Sequence, residues 1–202
     1  MRNIFEGASH RRYERNRLVR IGDWMPRRAF FSFYYERDVW RASQVRNSWV
    51  TKEDREAAGF VDAADWERVK RQGDEAIKRW IDSQLEGTSV TPVLIDAETS
   101  DRKWVRYEIQ RSYERGNGII GIYIHNLKDS DGNTDTKGDT DFGKIDGEHE
   151  FKDLFRTYDW VDDSGYENLG DWIERAALIA TRPNLEPPLQ RSAKPRSRGR
   201  RR

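Results

Sequence analysis

The chain has 202 residues, with 37 Lys or Arg against 36 Asp or Glu, a net charge of +1, 12% aromatic residues and no cysteine. The lack of cysteine excludes disulfide scaffolds, thiolate metal sites and cysteine nucleophiles, and no apolar run approaches the ~20 residues of a membrane-spanning helix. Eight each of Trp, Tyr and Phe are too many for a disordered chain, so a compact, aromatic-rich domain with a charged surface is expected.

In chain order, residues 1–26 read as an Arg-rich extension (Arg11, Arg12, Arg15, Arg17, Arg20) without the apolar core of a secretory signal, so the expected location is cytoplasmic. The run Ala29 to Tyr35 (AFFSFYY) is apolar, aromatic and bounded by charge, which predicts a strand buried on both faces. Val39 to Val45 fits a helix, Asn47 to Val50 a short strand, and 51–62 a loop or short helix. Ala63 to Arg71 is helical, Gly73 breaks it, and Asp74 to Leu85 forms a second helix with Ile77, Trp80, Ile81 and Leu85 on one face. Val90 to Ile95 is strand-like. Ser100-Asp101 caps a helix over Arg102 to Arg115, and Ile119 to Ile124 (IIGIYI) is another buried strand. A long acidic loop covers Asn126 to Glu150, Thr157 to Val161 is a last strand, and Tyr166 to Ala180 is a closing helix. Pro183, Pro187 and Pro188 mark the end of a domain over 27–182. The remaining 183–202 are a basic tail, with seven Lys or Arg and no acid in 191–202, expected to be disordered and to offer at most a weak nucleic-acid contact.

Strands alternating with helices predict an α/β fold. About five parallel strands fit the flavodoxin-like order 2-1-3-4-5, a three-layer sandwich with helices on both faces of the sheet. In that order ligands bind beyond the carboxyl ends of strands 1 and 3, here Phe33–Asp38 and Asp96–Ser100. Trp104 and Glu108, four apart on the next helix, share a face. With Phe33, Tyr34 and Tyr35 they would set flat apolar walls around one carboxylate, which suits a stacked heteroaromatic ligand with ribose hydroxyls. The competing reading is a core tryptophan beside a surface glutamate, with the strand-1 aromatics as sheet core.

The stretch Ser100-Asp101-Arg102-Lys103-Trp104-Val105-Arg106-Tyr107-Glu108-Ile109 resembles the Ser…Trp-x-x-x-Glu signature of TIR domains. Ala29-Phe30-Phe31-Ser32-Phe33, followed by Asp38, looks like their first strand. Over about residues 27–180 the chain is similar to the TIR-like group that includes the NAD-consuming sensor of Thoeris antiphage defence. Val105 stands where plant TIR domains commonly carry cysteine. The resemblance implies an enzyme with NAD as substrate and no other cofactor. Glu108 would be the catalytic residue at the nicotinamide ribose, and Phe33, Tyr34, Tyr35, Asp38 and Trp104 the substrate-binding residues. Loss of nicotinamide through an oxocarbenium-like state would give ADP-ribose by water capture or a cyclic ADP-ribose isomer by internal capture. The implied partners are a separate effector that reads the nucleotide and further copies of the chain. A catalytically silent adaptor on the same fold is the alternative, and a nucleic-acid-associated protein acting through its basic ends a third class.

Weaker signals remain. Asp129-Ser130-Asp131-Gly132-Asn133-Thr134-Asp135 imitates the start of a calcium loop, but Thr134 and Thr140 stand where glycine and glutamate are needed, so it reads better as a solvated acidic turn or a lid. His10, His125 and His149 show no metal spacing, although His125 ends a strand near the proposed cleft.

Overall fold

In the computed structural model, residues 27–51, 55–59 and 63–181 are described; the N-terminal extension with His10 and the basic tail lie outside them. Five parallel strands form one sheet in the order β2-β1-β3-β4-β5, as the alternation of elements predicted. The strands are β1 (Arg27–Phe30), β2 (Arg55–Ala58), β3 (Val90–Ile95), β4 (Gly118–Tyr123) and β5 (Thr157–Asp159). The helices are α1 (Tyr35–Val50), α2 (Ala63–Arg71), α3 (Asp74–Leu85), α4 (Lys103–Glu114), α5 (Phe151–Leu154) and α6 (Gly165–Thr181). Among the described residues no helix is long and apolar enough to cross a membrane.

Side chains alternate across a strand, so each continuous apolar run divides between two layers. From β3, Val90 and Leu94 join the layer under α1 and α6, while Val93 and Ile95 face α4. From β4, Ile120, Ile122 and Ile124 go to the first layer and Ile119 to the second. In the first strand Phe31 and Phe33 belong with α1 and α6 and Phe30 faces α3, which puts Ser32 on the α3–α4 side. That parity brings a hydroxyl beneath α4. Gly118 starts β4 so close to α6 that a Cβ there would meet the Ala176 carbonyl oxygen at 2.3 Å, so the strand begins flush against the helix backbone.

Two expectations fail in the stretch after β1. Asn47 to Val50 is not a strand; it completes α1, because Ala42, Val45 and Trp49 recur at helical spacing and are fully buried. The second strand is Arg55–Ala58, inside the expected loop. Its sequence REAA has little intrinsic β-preference. Pairing with β1 holds it (Arg27↔Arg55 through Phe30↔Ala58), as does Trp49, whose Nε1–H donates to the Glu56 carbonyl at 2.8 Å. The first strand is also shorter than the run AFFSFYY: Tyr35 already opens α1.

Candidate active site

The winding direction of the sheet reverses between β1 and β3, and a cavity of about 210 Å³ lies at their carboxyl ends. Phe33, Tyr34 and Tyr35 reach it from the β1–α1 junction, and Trp104 and Glu108 from the first two turns of α4. The predicted constellation is thus assembled, apart from Asp38. Trp66 of α2 and Trp80 of α3 complete the walls. The rings form a chain: Phe33 to Tyr35 at 6.0 Å, Tyr35 to Trp66 at 5.8 Å, and Trp66 to Trp80 at 5.7 Å between centroids. Such tilted and edge contacts fix the rings against one another. Gly59, just past β2, also lines the cavity; at φ +86° its missing side chain lets the backbone come close, since a Cβ would stand 2.5 Å from the Phe31 carbonyl oxygen.

Glu108 is the buried carboxyl of this space, with 8% of its surface exposed. Its partner is Ser32, whose hydroxyl donates to Oε2 at 2.5 Å. Burial pushes its pKa from 4.5 up to about 8, a rise that the Ser32 hydrogen bond partly opposes. At neutral pH the free site therefore holds a mostly protonated Glu108. A cation placed beside it would favour the carboxylate, so the site is built to answer positive charge.

Cations stand at the open side. Arg102 lies over the Tyr34 ring at 4.0 Å and is paired with Glu98; Lys103 lies over the Trp104 ring at 4.5 Å and is paired with Asp74. Glu98 also accepts from Arg37 at 2.7 Å, and Arg37 binds Asp135 of the acidic loop. Glu36 is partly buried, yet hydrogen bonds from Lys70 at 2.8 Å and Trp66 at 3.4 Å hold it below the usual carboxylate range.

Asp38 does not line the cavity. It is buried beside Arg41, 3.3 Å from Nη1, which also donates to Asp96 at 3.0 Å. Burial and the neighbouring Asp96 carboxyl raise the Asp38 pKa to about 8, a rise that the Arg41 guanidinium beside it partly opposes. Arg41 also donates to the Leu127 carbonyl at 2.9 Å and the Asn133 carbonyl at 3.2 Å, tying down the start of the acidic loop. Within that loop Asp129 caps its own turn, accepting the amides of Asp131 and Asn133, and its other oxygen lies 3.4 Å from Arg41. Among the described residues no group of three or more potential ligands could hold a metal ion. His125 sits 3.9 Å from Asp159 and edge-on to Tyr123, away from the cavity lining.

Sequence reasoning missed Ser32, Trp66, Trp80, Glu36, Arg102 and Lys103. The parity of the AFFSF run was the available signal for Ser32. Trp66 and Trp80 come from helices that only tertiary packing brings to the cavity.

The sequence model of a family described as "Thoeris protein ThsB, TIR-like domain" matches residues 30–129, a span that holds both Ser32 and Glu108. The chain is 39% identical over 191 residues to a protein of Bacillus cereus (strain MSX-D12) named "Putative cyclic ADP-D-ribose synthase ThsB1". That alignment covers 74% of this chain and 100% of the relative.

Proposed function

This chain belongs to the Thoeris ThsB TIR-like family, and from that membership we propose that it cleaves NAD, releasing nicotinamide and forming a cyclic ADP-ribose-type signal in antiphage defence. The observation that carries the reading is a carboxyl buried among aromatic rings at the switch point of the sheet. The relative's name, a cyclic ADP-D-ribose synthase, supports the reaction class.

The chemistry fits the residues. The bond that breaks joins ribose C1′ to a pyridinium nitrogen; the electron pair leaves with the ring, and neutral nicotinamide needs no acid. Positive charge grows on the ribose, and Glu108 as a carboxylate stabilises it while accepting a ribose hydroxyl. The cationic ring entering the cavity shifts Glu108 to that state. The aromatic walls hold the ring and restrict water, which favours capture of C1′ by a nitrogen or hydroxyl of the same ADP-ribosyl group, a hydroxyl giving up its proton, over capture by water. At about 210 Å³ the cavity is below the ~300–1,000 Å³ of sites that enclose a whole drug-sized ligand. It therefore takes the nicotinamide riboside half, with the diphosphate and adenosine of NAD extending past Arg102 and Lys103, and a separate effector meets the nucleotide only after its release as product.

The test is nicotinamide release from NAD by concentrated wild type and Glu108→Gln, with and without lysate of phage-infected cells. Release by wild type alone supports the reading, and the co-product tells cyclase from hydrolase. Equal release by the variant overturns the role of Glu108. No release by wild type in either condition overturns the enzyme reading in favour of the adaptor.

A further inference from the structure

A second cavity, about 340 Å³, lies at the opposite end of the sheet, between the end of α4, the start of β4, the turn into β5 and the last turns of α6. Its volume falls inside the range of small-molecule sites. The body of the cavity is largely apolar. Tyr158 and Trp172 stack at 4.2 Å and 5°, and Phe155, which also lines it, packs edge-on against Phe151.

The charge of the lining is one-sided. Among the described residues no carboxylate lines this cavity, whereas two guanidiniums do, Arg156 and Arg175. Among the described residues neither has an ion-pair or hydrogen-bonding partner, although arginines elsewhere are paired, as Arg27 is with Glu174 and Arg111 with Asp82. An arginine fork left open beside an apolar cavity matches an anion that carries an apolar body, because the anion gains charge-assisted hydrogen bonds while the body leaves water.

We propose that this cavity is a binding site for a small amphipathic anion, an aromatic ring system carrying one sulfonate, carboxylate or phosphate group. The ring enters beside the Tyr158–Trp172 stack and the anion meets Arg156 and Arg175. The site is separate from the Glu108 cavity and does not depend on the reading of that cavity.

Two fluorescent probes of one shape test it on the full chain: anilinonaphthalene sulfonate and its uncharged analogue phenylnaphthylamine. The expected result is saturable binding of one equivalent, with the anion at least tenfold tighter, since each charge-assisted contact is worth about tenfold or more. Replacing both arginines (Arg156→Gln with Arg175→Gln) should remove that preference and leave the uncharged probe's affinity unchanged. Trp104→Ala should not alter the binding. Equal affinity of the two probes for wild type, or a preference that survives in the double variant, overturns the proposal. So does probe lost with Trp104→Ala, which places it in the other cavity. A wild type that sediments as a dimer and takes up probe only after the arginines are replaced puts a second copy on this face instead.

Discussion

Replacing Glu108 by glutamine should make the protein more stable, and increasingly so as the pH rises. Glutamine has the shape of the protonated acid and still accepts from Ser32. In the wild type the native pKa of about 8 lies above the ordinary 4.5, so between those values the unfolded chain gives up a proton that the folded chain keeps. Stability from this group is complete below pH 4.5 and is lost as the pH climbs through 8. The full distance from 4.5 to about 8 corresponds to about 5 kcal/mol. By pH 7 about 3 kcal/mol of it is gone, and Glu108→Gln recovers that amount, about 6–12 °C in Tm for a chain of this size. Asp38, also raised, is present in both proteins and cancels in the difference. The assay is guanidinium unfolding of both proteins at pH 5, 7 and 8.5. A stability difference that stays flat across that range would mean Glu108 does not hold a proton in the folded site, and the reasoning fails.

The same carboxyl sets the pH profile of turnover: kcat/KM, which reports the free enzyme, should rise with pH through about 8. The kcat limb should lie at lower pH, because the bound pyridinium favours the anion; coincident limbs measured by nicotinamide release would contradict this. Arg41→Met should lower stability by about 3–5 kcal/mol, since it strands the buried Asp38 and Asp96, and adding Asp38→Asn should restore part of the loss in denaturant melts. Trp104→Ala removes one wall and should weaken NAD about threefold to tenfold by fluorescence titration, with unchanged affinity arguing that the ring does not stack there. Gly59→Ala should cost about 1–3 kcal/mol in thermal melts, because the new Cβ meets the Phe31 carbonyl in a left-handed conformation.

The elements legible in the sequence were those whose apolar pattern decides the issue locally. β3 and β4 are continuous apolar runs, and α3 and α6 repeat apolar residues at helical spacing, so sheet order and the end that carries the cavity followed. β2 was illegible because its four residues owe their conformation to β1 and Trp49. The fate of Asp38 was hidden for a related reason: Arg41, one helical turn on, claims it, and the second acid of that cluster comes from the end of β3. The Trp104–Glu108 spacing gave the centre of the site, and Phe33, Tyr34 and Tyr35 its near wall. The far wall, Trp66 and Trp80, depends on how α2 and α3 dock, which no local pattern encodes.

The charges between the acidic loop and the cavity form an open series: Asp135, Arg37, Glu98, Arg102 and the Tyr34 ring. Each interior member serves two neighbours, so its removal changes the field and the packing of both. Thermodynamic contributions along this series are consequently inseparable: a double substitution of Arg37 and Arg102 will differ from the sum of the singles, with Glu98 as the shared intermediary.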